Sequence, residues 1–198
     1  RGEPLLRAAL RRRVLCLPGE LSVEAKKWSA IRPARPGDAA AIAAIYAPFV
    51  EKTASRYEYT PPDAGETSRR MAELMPQMPW LVWEEDGEIL GYAYASPAFQ
   101  RRAYAFLADL SIYLREDVRG RGIGTAFYAV LEEILYRQGY CRVYALVTAA
   151  NAASCRFHEA LGYRASTVFE QSGLKLGDWH STVWFEKVLR PQEGLLPF

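Results

Sequence analysis

The segment Arg119-Gly120-Arg121-Gly122-Ile123-Gly124-Thr125 stands between an apolar run that ends at Leu114 and a stretch whose apolar residues recur at helical spacing. A strand, a glycine turn and a helix are expected in that order. Glycines let the backbone turn tightly and aim several N–H groups at one anion, and a helix N-terminus adds partial positive charge. Arg119 and Arg121 contribute mobile charge, so a diphosphate is the natural ligand of such a cradle. Two common glycine loops do not fit. Lys and Ser or Thr do not follow at Walker A spacing, and Gly120, Gly122 and Gly124 do not make Gly-x-Gly-x-x-Gly. On this segment alone, a glycine turn without a ligand stays open.

Outward from the turn the chain reads as an α/β (α+β) domain. The helix Gly122 to Gln138 carries Phe127, Val130, Leu131, Ile134 and Leu135 on one face, and Tyr104 to Leu114 reads as the strand before it. Downstream come a strand at Arg142 to Thr148, a helix at Ala152 to Leu161 stopped by Gly162, and strands at Tyr163 to Glu170 and Ser181 to Leu189. Upstream, Trp80 to Glu84 and Ile89 to Ala95 are joined through Asp86-Gly87, the dipeptide of a tight hairpin. Before them lie a short strand at Ile31 and Arg32, a helix capped by Asp38 that bears Ile42, Ile45, Tyr46 and Phe49 on one face, and a second helix from Glu66 to Met75.

Composition bounds the function. Of 198 residues, 50% are hydrophobic and 24% charged, which suits one globular domain over 31–190. Residues 1–30, rich in Arg and poor in acids, read as an N-terminal extension, flexible or left by cloning, rather than as an organellar leader, since Ser is scarce; 191–198 read as a C-terminal tail. A net charge of +2 gives no general reason to expect nucleic acid as a partner. No run approaches the roughly 18 apolar residues of a membrane span. Cys16, Cys141 and Cys155 lack Cys-x-x-Cys spacing, which argues against a disulfide framework or a metal site and makes a reducing cytoplasm the default.

The spacing Arg-x-x-Gly-x-Gly at Arg119, Gly122 and Gly124, followed by Asn151-x-x-Ser154-x-x-x-His158-Glu159-x-x-Gly162-Tyr163, resembles the two cofactor motifs of the GNAT superfamily of N-acetyltransferases. Trp80-Leu81-Val82, Gly91 to Ala95, Arg101 with Tyr104, and Gly177-Asp178-Trp179-His180 narrow the resemblance to the phosphinothricin and methionine sulfoximine acetyltransferases, over about Ile31 to Leu189. The resemblance implies a mixed, mostly antiparallel, bent sheet flanked by helices, with Tyr104 to Leu114 and Arg142 to Thr148 splayed to admit acetyl-CoA. It implies that backbone groups of Ile112, Tyr113 and Leu114 hold pantetheine, that Arg119, Gly120, Arg121, Gly122, Ile123, Gly124 and Thr125 hold the pyrophosphate, and that Asn151 and Ser154 contact the cofactor. No metal is implied, and a homodimer is.

Acetylating an amine needs a neutral nitrogen, a polarised thioester and a proton for the departing thiolate. Asp109 stands where the resembling enzymes carry a catalytic Glu; it is the candidate base, with positioning of the amine as the alternative. His158, two helical turns after Asn151, is the candidate acid, with substrate orientation or a structural role as alternatives. His180 reads as pocket wall or structure. Tyr57, Arg101, Tyr104 and Trp179 are the substrate-binding candidates, Arg101 by pairing with a carboxylate. Phe99 stands where the phosphinothricin enzymes have Lys, and Ser181 replaces an acid, so the expected acceptor is a small amine less anionic than phosphinothricin, such as methionine sulfone or sulfoximine. Acetylation of a peptide N-terminus or lysine, and a non-catalytic acyl-CoA binding module, are the competing functions.

Overall fold

Asp86 and Gly87 both adopt left-handed backbone, with φ of 50° and 81°, and so close a two-residue hairpin whose twist matches its strands. From this hairpin the sheet grows in both directions. The computed structural model describes residues 29–192, so the extension over 1–28, Cys16 and the tail from 193 lie outside the described residues. The elements are β1 (Ile31–Pro33), α1 (Ala39–Lys52), α2 (Ala64–Leu74), β2 (Trp80–Glu85), β3 (Glu88–Pro97), β4 (Leu107–Leu114), α3 (Ile123–Gln138), β5 (Arg142–Thr148), α4 (Ala152–Ala160), β6 (Arg164–Lys175) and β7 (Asp178–Val188).

The seven strands run in the order β1-β2-β3-β4-β5-β7-β6, and every neighbouring pair is antiparallel except β4 with β5. That parallel pair is joined only at Leu107↔Arg142, Ala108↔Val143 and Asp109↔Tyr144. Beyond Asp109 the two strands continue unpaired with each other, while β3 holds the outer edge of β4 as far as Leu114 and β7 holds β5 as far as Thr148. The splayed pair expected from the sequence is therefore present, and it opens the middle of the sheet.

Helices cover both faces. On one, α3 buries Phe127, Leu131, Ile134 and Leu135 against Leu110, Val143 and Phe185; each such side chain contributes about 2–3 kcal/mol by leaving water. On the other, α1 buries Ile42, Ile45 and Tyr46 with Met71 of α2 against Val82, Tyr92 and Tyr113. The periodic stripes read from the sequence are the faces that pack.

Four local expectations need correction. Asp38 does not cap α1 with its side chain; its carboxylate accepts from Arg32 at 2.7 and 2.9 Å and from the Arg35 N–H, tying β1 to the helix entry. Helix α2 begins at Ala64, because Asp63 accepts from the Glu66 N–H at 2.8 Å and caps it. Tyr104 lies in a 3-10 turn (Arg102–Tyr104), and the strand starts at Leu107. The last rung of its ladder with β3 is Pro97↔Ala108, and the Ala98 N–H still donates to the Leu107 carbonyl at 3.3 Å. Finally, β6 and β7 form one long hairpin turning at Leu176 and Gly177, with φ of 54° and 89°. Bulges near Ala165 and Phe169 absorb the Ser- and Gly-rich stretch that reads as a break.

Gly91 is a point where this architecture is tightest, since a methyl group there would lie 2.4 Å from the Leu114 side chain and 3.0 Å from the Tyr113 carbonyl oxygen. Urea unfolding of Gly91→Ala should show a loss of about 1–3 kcal/mol. Gly37→Ala, where nothing lies within 4 Å, should stay within about 0.5 kcal/mol of the parent.

Candidate active site

The opening between β4 and β5 continues into a cleft of about 770 Å³ floored by the glycine turn and the start of α3. Gly120 and Gly122 have φ of 79° and 77°, a conformation that side chains strain to adopt. Gly122 is the N-cap of α3 and supplies no side-chain cap, so the first N–H groups of that helix are left for another acceptor. Gly124 serves packing: a methyl group there would meet the Phe157 ring of α4 at 3.0 Å. Ile112, Leu114, Arg119, Ile123 and Thr125 also line the cleft.

The two arginines of the turn divide. Arg119 lines the cleft, half-exposed, with a Glu116 contact of 4.0 Å. Arg121 turns away to Glu85, donating to its two oxygens at 2.7 and 2.8 Å. Tyr113 likewise points its side chain to the opposite face, among Tyr46, Phe49 and Tyr92, leaving only its backbone toward the cleft.

Across the opening, Asn151 caps α4 by accepting from the Ser154 N–H at 3.1 Å, and its amide reaches Ser55 Oγ at 3.3 Å. Asn151 and Ser154 both line the cleft. His158 sits below them, 2% exposed, at the narrow inner end. Its Nδ1 lies 2.8 Å from the Ser154 carbonyl, which can only accept, so Nδ1 carries the proton and Nε2 accepts from the Tyr128 hydroxyl at 2.8 Å. Burial pushes its pKa down, and the ring is neutral. What this ring presents to the narrow pocket is the Tyr128 hydroxyl. Sequence periodicity set Tyr128 beside the core stripe of α3; the signal available was a polar-tipped aromatic in a helix with apolar residues all round, which needs a buried partner.

Strand alternation sends Asp109, Ser111 and Tyr113 to the α1 side of the sheet and Ala108 and Leu110 to the α3 side. Asp109 is half-buried overall, but its Oδ1 is fully buried with no hydrogen-bond partner. Burial pushes its pKa up to about 7, against the pull of the Arg56 charge and the Leu110 N–H. Arg56 was not legible as a site residue. The chain between α1 and α2 returns over β4, so that its guanidinium donates to Ser111 Oγ at 3.0 Å and lies 4.8 Å from the Tyr113 ring centre.

The expected substrate residues are less gathered. Tyr57 packs its ring on Gly173 and its hydroxyl is 3.1 Å from Thr182 Oγ1, joining the α1–α2 connection to the β6–β7 hairpin. Arg101 is exposed at the head of the 3-10 turn, Tyr104 is exposed against Phe99, and Trp179 is 61% exposed near the hairpin tip. His180 Nε2 lies 3.0 Å from the Lys175 carbonyl, an internal hairpin contact. Among the described residues no cluster of three His, Cys, Asp or Glu could hold a metal ion, and no helix is long and apolar enough to cross a membrane.

The profile of the Acetyltransferase (GNAT) family matches residues 41–163. Phosphinothricin N-acetyltransferase of Streptomyces viridochromogenes is 32% identical over 157 residues, covering 79% of this chain and 86% of that protein. The L-methionine sulfoximine/L-methionine sulfone acetyltransferase of Pseudomonas paraeruginosa is 32% identical, over 82% of this chain and 96% of its own. A crystal structure of a GNAT superfamily phosphinothricin acetyltransferase from Sinorhizobium meliloti in complex with AcCoA superposes with a TM-score of 0.78 at 32% identity, over 84% of this chain and 95% of that one.

The raised pKa of Asp109 has a stability signature. The folded protein holds this proton up to about pH 7, whereas an unfolded Asp releases it near pH 4. Its contribution is therefore fully present below about pH 4 and is lost as pH rises through 7. Thermal melts of Asp109→Asn should gain on the parent between pH 5 and pH 8; a difference independent of pH would contradict the assignment.

Proposed function

Because the chain belongs to the Acetyltransferase (GNAT) family, we propose that it transfers an acetyl group from acetyl-CoA to the primary amine of a small amino-acid-like acceptor, by direct attack in a ternary complex. The observation that carries this reading is the unpaired inner edge of β4 beyond Asp109, flanked by the glycine turn and by α4.

The residues fit the co-substrate. Unpaired N–H and C=O groups of Ile112 to Leu114 can accept a pantetheine arm as a substitute strand. The free N–H groups at the start of α3, with Arg119, suit a pyrophosphate. Acetyl-CoA brings an activated acyl group; the chain supplies position and proton handling. Asp109, with one oxygen lacking a hydrogen-bond partner and a pKa pushed up to about 7, takes the proton from the acceptor's ammonium, directly or through water. A β4 N–H polarises the thioester carbonyl. His158 serves the departing thiolate indirectly, by holding the Tyr128 hydroxyl at the narrow end of the pocket.

Three further properties belong to the same proposal. The acceptor is of the methionine sulfone or sulfoximine type, supported by the names of the relatives and by Phe99 standing in an aromatic group with Tyr104 and Trp184 rather than as a cation. A homodimer is supported by that group, whose Phe99 and Tyr104 are exposed together with the neighbouring Phe169. The cytoplasm is supported by Cys141 and Cys155 being free thiols.

Coenzyme A release, followed with a thiol reagent, should be amine-dependent with L-methionine sulfone or sulfoximine and weaker with phosphinothricin. Release with peptides alone would overturn the acceptor class, and acetyl-CoA binding without release on any amine would overturn the enzyme. Arg119→Ala should raise the KM for acetyl-CoA about tenfold. Arg121→Ala, whose guanidinium is committed to Glu85, should change it less than about threefold.

A further inference from the structure

Three other partly buried arginines each meet a carboxylate, and Arg56 does not. Arg32 is paired with Asp38 and Glu84, Arg70 with Glu58 and Glu66, and Arg142 with Glu186. For Arg56 no ion pair within 4.0 Å is formed with a carboxylate among the described residues. It makes a neutral hydrogen bond to Ser111 and an approach to the Tyr113 ring. A guanidinium carries five N–H donors in a planar fork, and withdrawing it from water without an anion is costly. Asp109 and Glu58 both feel its charge, but neither comes within 4.0 Å of it as an ion pair, and Glu58 is taken by Arg70 and Tyr46.

The placement is that of a receptor for charge. Arg56 borders the narrow pocket between the splayed strands, together with Ser111, Ile112 and Tyr128, next to where the acetyl group and amine must meet. Ser111, which anchors the guanidinium, is two residues from Asp109 on the same face of β4, a separation of about 7 Å along a strand. The Arg56 and Asp109 charges act on each other across that interval, and an α-amino acid can bridge two groups so placed, its ammonium toward Asp109 and its carboxylate toward the fork, through charge-assisted hydrogen bonds.

Resting on the acetyltransferase reading above, we propose that Arg56 recognises the α-carboxylate of the acceptor, and so restricts this enzyme to free α-amino acids. The arrangement uses one zwitterion to complete two incomplete groups: the acceptor's cation meets Asp109 and its anion meets Arg56.

The test compares L-methionine sulfone with its α-carboxamide, which keeps the amine and side chain but lacks the anion. The parent enzyme should favour the acid by about 10²-fold or more in kcat/KM. Arg56→Met should lose about 10²-fold on the acid, change the carboxamide less than about threefold, and leave the KM for acetyl-CoA unchanged; Arg56→Lys should recover part of the loss. Equal losses on both acceptors would make Arg56 a brace for the loop and overturn the inference. So would an unchanged acid rate, or a parent enzyme indifferent to the carboxylate, while the acetyltransferase reading would survive all three. A parent that acetylates neither compound but does acetylate peptides would remove the acceptor class, and the inference with it.

Discussion

The separation of β4 from β5 beyond Asp109 is the constraint on which the site depends. A sheet interrupted in its middle leaves backbone donors and acceptors without partners, which is unfavourable unless something else bonds them. Here each strand is held along its outer edge, β4 by β3 and β5 by β7, so the inner edges stay extended while they are apart. The gap therefore has rigid walls. Helices α3 and α4 meet above it through the Gly124–Phe157 contact, which brings an uncapped helix N-terminus and the Asn151 cap to the same cleft. Binding geometry follows from strand pairing and one close helix contact rather than from flexible loops.

The chemistry occupies the other side of the same strand. Because β4 alternates, its apolar residues Ala108 and Leu110 serve the core under α3, while Asp109, Ser111 and Tyr113 face the return of the chain after α1. One strand thus contributes a backbone edge, a core face and a polar face. The polar face is kept incomplete: Asp109 Oδ1 has no partner, and Arg56 has no paired carboxylate among the described residues. Groups left in that state lower stability and are the kind of local departure from good packing found at functional sites.

Much of this was legible in sequence where local chemistry decides structure. The Asp86-Gly87 hairpin, the stripe on α3 and the glycine turn all depend on residues a few positions apart, and all three formed as read. Reading failed where a distant partner decides. Asp38 looks like a helix cap until Arg32 takes its carboxylate. Tyr104 looks like strand, but β3 partners that strand only as far as Pro97 with Ala108 and the Ala98 N–H with Leu107. Residues 171–180 look like a break until two bulges carry the hairpin through. Tyr128 and Arg56 are the harder cases, because neither has a local signature of function: one depends on His158 thirty residues away and the other on Ser111 fifty-five residues away.

The use of Asp at position 109 becomes intelligible once burial is considered with the amine it would serve. A solvated Asp, with a pKa of about 4, lies well below any α-ammonium, so proton transfer between them is uphill. With Asp109 raised to about 7, the same transfer is easier by about 3 units, or roughly 4 kcal/mol. The gain comes from desolvation, the same burial that destabilises the ionised folded state above pH 7. Arg56 limits it, since a nearby cation pulls the carboxyl down. A carboxylate bound at the fork would cancel that pull, and so offset part of the opposite pull that the acceptor's own ammonium exerts on Asp109.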